Sequence, residues 1–257
     1  MIEVRRLHFS FPDGTSVFQR FTWTVERGEA WAVLGPSGCG KTTLLYLLAG
    51  LRAPTAGEIR IDGQPLLRPR PRTGLILQDY GLLPWAPVRE NIALGLHVRG
   101  FYGPDGKHAP RDEVIPLVRE RVDPWLDRLG LREVADHFPS QISGGQRQRT
   151  AIARTLALQP DLLLMDEPFA SLDAPTREGL QNLVLQLREE QGLTTVIVTH
   201  AIEEAALLGR KVLVLGRLPN RRTIVFSNPQ AGRGAYRRTT AYARACGRLR
   251  RLLEKTA

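Results

Sequence analysis

The sequence predicts an α/β fold: a largely parallel sheet with helical crossovers, an N-terminal antiparallel β part and an inserted helical subdomain. Three observations predict it. Apolar strands at 30–34, 162–165 and 194–198 each run into a cluster of glycines, acids or Thr-His. Helical patterns at 176–191 and 201–208 alternate with the later strands, and strand–helix–strand alternation implies parallel pairing. Between about residues 85 and 158 strand patterns disappear and helical ones take over.

Each element has its own signal. Residues 2–8 and 21–25 read as short strands separated by a Pro12-Asp13-Gly14 turn. Ala30-Trp31-Ala32-Val33-Leu34 is a continuous apolar strand. Residues 41–49 read as a helix stopped by Gly50, with Pro54 shortly after. Gly57 to Gly63 alternates apolar and polar residues and ends in Asp-Gly, a strand and its turn. Gly74-Leu75-Ile76-Leu77-Gln78 is another buried strand. Helices are expected over 88–97, 111–129 and 144–158. The stretch 99–110, with three glycines and two prolines, reads as an exposed loop. Strands return at 162–166, 194–198 and 211–215, and a last helix is expected at 239–254.

The chain of 257 residues can bury a sizeable core, and its formal net charge of +10 is unevenly spread. Residues 210–257 carry thirteen Arg and Lys against one acid, Glu254, while residues 1–209 carry 23 basic and 25 acidic residues. The basic end reads either as a solvated tail or as a contact for anionic headgroups or a partner's acidic surface. No aromatic stacking platform accompanies the charge, so no nucleic-acid partner is expected. No apolar run approaches the ~18 residues of a membrane span, and the charged N-terminus has no apolar core behind it. These features place the protein in the cytosol or on a membrane's cytosolic face. Cys39 and Cys246 form no metal or disulfide pattern, which fits a reducing compartment.

The chemistry-bearing residues sit where strands end. Gly35-Pro36-Ser37-Gly38-Cys39-Gly40-Lys41-Thr42 is a P-loop between an expected strand and helix. Its glycines let backbone N–H groups curl round the β- and γ-phosphates, and the following helix, through Thr43, adds its dipole. Lys41 reaches β/γ-phosphate oxygens and Thr42 puts a hydroxyl on Mg²⁺. Asp166 and Glu167 end an apolar strand, where ligands bind in open α/β sheets. Asp166 suits Mg²⁺, and Glu167 suits a general base for an attacking water. His200, just past another strand, is within reach of a γ-phosphate. Ser143 with Gly144 and Gly145 can open a helix whose bare N-terminus admits a phosphate.

Over residues 1 to about 217 this order of motifs resembles the ATP-binding subunit of an ABC transporter. Ser143-Gly144-Gly145-Gln146-Arg147-Gln148-Arg149, followed by Ala151-Ile152-Ala153-Arg154, is similar to the family's signature helix, with Ile142 in place of the commoner Leu. The resemblance implies a RecA-like core over residues 1–216, a helical subdomain over about 85–158 and a basic extension over 217–257. It implies two ATPs sandwiched between two head-to-tail cassettes, the default partner being a second copy. It assigns Gln78 to the Q-loop at the Mg²⁺ and water site, Ser171-Leu172-Asp173 to the D-loop at the dimer interface, and His200 to the switch histidine. Phe11 stands where the family stacks an aromatic on adenine, with Phe9 close by. Ala201 follows the switch histidine where Asp is common, which leaves the catalytic set intact.

The run Leu77-Gln78-Asp79-Tyr80-Gly81-Leu82-Leu83-Pro84-Trp85, then Val88-Arg89-Glu90-Asn91-Ile92, resembles ATPases of nitrate/sulfonate/taurine-type importers. It implies an integral-membrane permease docked near Leu82 and Trp85, and a substrate-binding protein reached through that permease. The rival reading of Trp85 is a core residue of the helical insert. The rival function is the ATPase of an exporter or of a lipid/lipoprotein extraction system. A non-transport ABC ATPase stands further off, because the P-loop and signature lie only about a hundred residues apart, with no coiled coil between them.

Overall fold

The computed structural model describes residues 1–114, 117–170, 172–233 and 235–256. They divide into two compact units: Met1–Pro69, Leu164–Glu167 and Leu187–Ala257 form the first, and Arg70–Leu163 with Pro168–Gln186 form the second.

The first unit opens with a β-hairpin. Strands β1 (Ile2–Ser10) and β2 (Ser16–Val25) pair antiparallel and run longer than the pattern suggested. The tip between them is tight: Phe11 N–H donates to Thr15 O at 2.9 Å, and Asp13 Oδ1 accepts from Thr15 N–H at 2.9 Å. Phe11 therefore stands at the hairpin's end. Strand β3 (Ala30–Leu34) is buried throughout and feeds helix α1 (Lys41–Leu48). Strands β4 (Ala56–Ile61) and β5 (Gln64–Pro65) complete an antiparallel sheet in the order β2-β1-β4-β5.

In the second unit, β6 (Thr73–Ile76) is followed by helices α2 (Val88–Tyr102), α3 (Val118–Arg128) and α4 (Gly144–Leu156). Three expectations are corrected here. Strand β6 stops short of Gln78, because the chain turns where Tyr80 N–H donates to Leu77 O at 3.1 Å. Helix α2 extends through residues expected as loop. Its Arg99 is 3% exposed and clamps the Glu113 carboxylate and the carbonyls of Leu158 and Pro71, which draws that turn inward. The helix expected over 111–129 is confined to α3, since Asp112 and Glu113 are engaged in ion pairs with Arg72 and Arg99. Residues 115–116 of that expectation lie outside the described residues.

The chain re-enters the first unit along β7 (Leu162–Asp166). After α5 (Ala174–Gln191) come β8 (Thr194–Thr199), α6 (Ile202–Leu208) and β9 (Lys211–Val214). Strand β3 lies between β8 and β9 and is parallel to both. The register sets Leu34 opposite Thr199 on one side and Val214 on the other. The three strands thus end level.

The basic segment 217–257 is part of this unit rather than an appendage. Strand β10 (Ile224–Ser227) pairs antiparallel with β9. Helix α7 (Thr240–Thr256) buries Ala245 and Leu249 against Ala205, Ala206, Val212 and Phe226. The apolar residues recur at helical spacing, so the arginines fall on the other face. Even those are partly engaged: the Arg248 guanidinium lies 5.0 Å over the Phe226 ring, and Arg250 is 3.8 Å from Glu203.

Leu249 is fully buried. Replacing it with alanine removes its branched end from packed surroundings and is expected to cost about 2–5 kcal/mol in urea unfolding. A loss below about 0.5 kcal/mol, the range of surface substitutions, would mean the tail does not belong to this core.

Candidate active site

The P-loop is shaped by space as much as by sequence. A Cβ on Gly35 would fall 2.5 Å from Cys39 Sγ and 2.8 Å from Leu215 O. Gly40 has φ of 99°, and a Cβ there would meet Val17 Cγ1 at 2.5 Å. Only glycine fits that left-handed turn without strain. Gly40 is also the N-cap of α1 and offers no side-chain acceptor, so none of its side-chain atoms competes for the first-turn N–H groups.

Lys41 is buried, and its Nζ donates to Gly35 O at 3.0 Å and Pro36 O at 2.9 Å. It lies 3.8 Å from Glu167 Oε1. Two of its three protons are thus held by the loop, leaving one for another acceptor. Thr42 Oγ1 donates to Asp166 Oδ1 at 3.2 Å. Burial pushes the Asp166 carboxyl above its ordinary range. The Thr42 hydrogen bond opposes that shift, the Glu167 charge adds to it, and the Lys41 charge opposes it.

Glu167 follows β7 with φ of 43°, and its N–H donates to Val198 O of β8 at 3.0 Å. A left-handed non-glycine residue held by a neighbouring strand is a fixed, strained position of the kind found at functional sites. Its Oε2 lies 2.9 Å from His200 Nδ1. A carboxylate only accepts, so Nδ1 carries the proton of that bond and Nε2 is left to face outward chemistry. His200 is itself exposed at the end of β8. Thr199 beside it is spent on Glu204 Oε2 and Ala201 N–H, which fixes the start of α6.

The P-loop and Glu167 meet at one cavity of about 460 Å³. Ser37, Gly38, Gly40, Lys41, Thr42, Thr43 and Glu167 line it, together with Phe11, Asp13, Thr15, Val17 and Leu218. Of the two neighbouring aromatics, Phe11 lines the cavity while Phe9 is buried, the rings meeting edge to face at 5.3 Å. Pro36 and Cys39 shape the loop from behind: Cys39 N–H donates to Pro36 O, and the Cys39 side chain is buried.

The other expected residues lie in the second unit. Gln78 is exposed in the turn after β6. That turn is tied to α4, whose Arg154 donates to the carbonyls of Tyr80 and Gly81. Ser143 caps α4 through a reciprocal pair: its Oγ accepts from Gln146 N–H at 3.2 Å, and Gln146 Oε1 accepts from Ser143 N–H at 2.8 Å. Gly145 has no room for a side chain, since a Cβ would lie 2.7 Å from Thr176 Cγ2. Gly144 begins α4. Asp173 caps α5, its Oδ1 accepting from Thr176 N–H at 3.1 Å, and that bond holds its carboxyl below the ordinary range. Ser171 lies outside the described residues. Trp85 is 73% exposed, which removes the core reading of that residue.

Sequence reasoning missed Asn220 and Leu218, Arg154, and the hairpin residues Asp13, Thr15 and Val17. The first two come just after β9, so the rule that strand ends carry the site would have pointed to them.

Among the described residues no three His, Cys, Asp or Glu side chains cluster as a self-contained metal site. The paired oxygens of Thr42 and Asp166 are a partial, hard-donor set that fits Mg²⁺ shared with phosphates.

The sequence profile described as ABC transporter matches residues 18–170. The chain is 42% identical over 217 residues to the taurine import ATP-binding protein TauB of Roseobacter denitrificans, covering 84% of this chain and 76% of that one. It is 44% identical over 199 residues to the nitrate import ATP-binding protein NrtC of Synechococcus elongatus, covering 76% of this chain and 28% of that one. Among solved structures it is similar to an ATP-binding cassette seen as a dimer in a post-hydrolysis state with ADP and Pi bound. The TM-score is 0.73 at 29% identity, over 91% of this chain and all of that one.

Burial raises the Cys39 thiol above its ordinary pKa. The thiolate fraction at pH 7.5 is therefore reduced, and access is closed as well. N-ethylmaleimide should modify Cys39 at least tenfold more slowly in the native protein than in urea, read by peptide mass spectrometry. Equal rates would contradict the buried position.

Proposed function

The chain belongs to the ABC transporter family, and we propose that it is the subunit that binds and hydrolyses ATP to drive an importer through a separate membrane permease. The relatives named for taurine and nitrate import, and the Leu-Leu-Pro-Trp run after Gln78, favour an importer of the nitrate/sulfonate/taurine type. The observation that carries the reading is the gathering of Lys41, Thr42, Asp166, Glu167 and His200 at strand ends beside the P-loop.

The residues divide the work. The P-loop N–H groups and the free N–H of Lys41 take the β- and γ-phosphates, and Phe11 stacks on the base. Thr42 and Asp166 would hold Mg²⁺, which would offset phosphate charge. Glu167 takes a proton from the attacking water as the water oxygen bonds to the γ-phosphorus and the bond from that phosphorus to the β,γ-bridging oxygen breaks, releasing ADP and phosphate. His200 orients the Glu167 carboxylate by donating Nδ1–H, and as the imidazolium it can also donate Nε2–H to the γ-phosphate. Ser143, Gly144, Gly145 and Gln146 at the start of α4 serve the ATP of a second cassette, by default another copy of this chain, and Asp173 lies at that junction.

No described helix is long and apolar enough to cross a membrane. We infer attachment at the cytosolic face through the permease, which the exposed Trp85 and the partly buried Leu82 contact. A substrate-binding protein acts on the far side through that permease.

Glu167→Gln should leave ATP affinity within about threefold and lower turnover by about 10²–10⁴, the usual weight of a general base. Near-normal turnover would remove Glu167 from that role. Lys41→Ala should weaken ATP binding itself, and unchanged affinity in equilibrium titration would count against the phosphate assignment. Tagged Glu167→Gln protein, held with ATP and recovered from native membranes in gentle detergent, should bring down an integral-membrane permease. Recovery of soluble partners alone would overturn the transport reading.

A further inference from the structure

The segment after β9 makes contacts the proposed reaction does not yet use. Asn220 is 6% exposed, and all of its polar atoms are engaged. Its Nδ2 donates to Cys39 O of the P-loop at 2.8 Å and, at 3.4 Å, to Val17 O of β2. Its Oδ1 accepts from Gly216 N–H at 3.2 Å. Its backbone N–H donates to Val17 O at 2.9 Å, and its carbonyl accepts from Gln19 N–H at 3.0 Å. One carboxamide thus joins three pieces of chain: the P-loop, the second strand of the hairpin that carries Phe11, and the exit from β9. Two residues before it, Leu218 lines the same cavity as Phe11 and the P-loop.

We propose that Gly216–Asn220 forms the outer wall of the nucleotide site: Asn220 is a positioning residue for the P-loop, and Leu218 is an apolar contact for the base and ribose. This rests on reading the cavity as an ATP site. The Cys39 carbonyl sits between the two left-handed glycines of the loop, Gly38 and Gly40, where the path is least restrained by side chains. A buried donor fixed to that carbonyl limits how the loop can turn its N–H groups. Leu218 is about a third exposed. A base lying against it would cover apolar surface that otherwise faces water.

The two roles predict different patterns. Asn220→Asp keeps size and the Oδ1 acceptor but replaces both N–H donors with an oxygen facing two carbonyls. Affinity for ATP and for inorganic tripolyphosphate should both fall about tenfold, and the KM for ATP should rise about tenfold while kcat falls less than twofold. Leu218→Ala touches none of these bonds. It should weaken ATP about threefold and leave tripolyphosphate unchanged, because only the base and ribose lose a contact. Both are read by titration calorimetry, with circular dichroism confirming the fold. If Asn220→Asp does not fold, Leu218→Ala decides the wall alone. Equal losses for both ligands in Leu218→Ala, or wild-type affinities in either variant, would overturn the inference. Failure of the unaltered protein to bind ATP would instead overturn the reading on which it rests.

Discussion

The site depends on the parallel register of three strands. Leu34 of β3 stands level with Thr199 of β8 and Val214 of β9. The segments leaving the three strands therefore emerge at one edge: the P-loop from β3, His200 from β8, and Gly216–Asn220 from β9. The end of β7 is locked to the same edge by the bond from Glu167 N–H to Val198 O. A slip of one residue in any pairing would turn the strand's side chains to the opposite face. Strands β3, β7 and β8 are buried at every position and hold register only in concert with both neighbours, since strands buried on two faces carry no alternation to set it.

Electrostatics completes what register begins. Lys41 and Glu167 line the cavity, Asp166 is bonded to Thr42 of its wall, and His200 is bonded to Glu167. Isolated burial of any one charge would be costly. Here each has a partner: Lys41 has two loop carbonyls and Glu167, Asp166 has the Thr42 hydroxyl, and Glu167 has His200. Burial raises the Asp166 carboxyl, and it lies beside the hydroxyl with which we propose it shares a cation.

The glycine-rich loop, the acid pair and His200 were legible because each is a chemical signature placed at the end of an apolar run. The start of α4 was legible from Ser143, whose cap is local and needs only Gln146 three residues on. The features that escaped the sequence depend on distant partners. Arg99 became helical because of Glu113, Pro71 and Leu158. Asn220 bonds residues 181 and 203 positions away, and no local pattern announces that. The tail was misjudged for a different reason. Thirteen basic residues over 210–257 masked an apolar stripe of Ala245 and Leu249, so charge suggested a solvated tail where packing makes a core element.

The most direct measurement is a crystal structure of the Glu167→Gln protein with Mg-ATP. Phosphate oxygens are expected within hydrogen-bond distance of Lys41 Nζ and the N–H groups of the P-loop, with the base against Phe11 and Leu218. ATP bound elsewhere, or bound here with its phosphates directed away from Lys41, would contradict the assigned site.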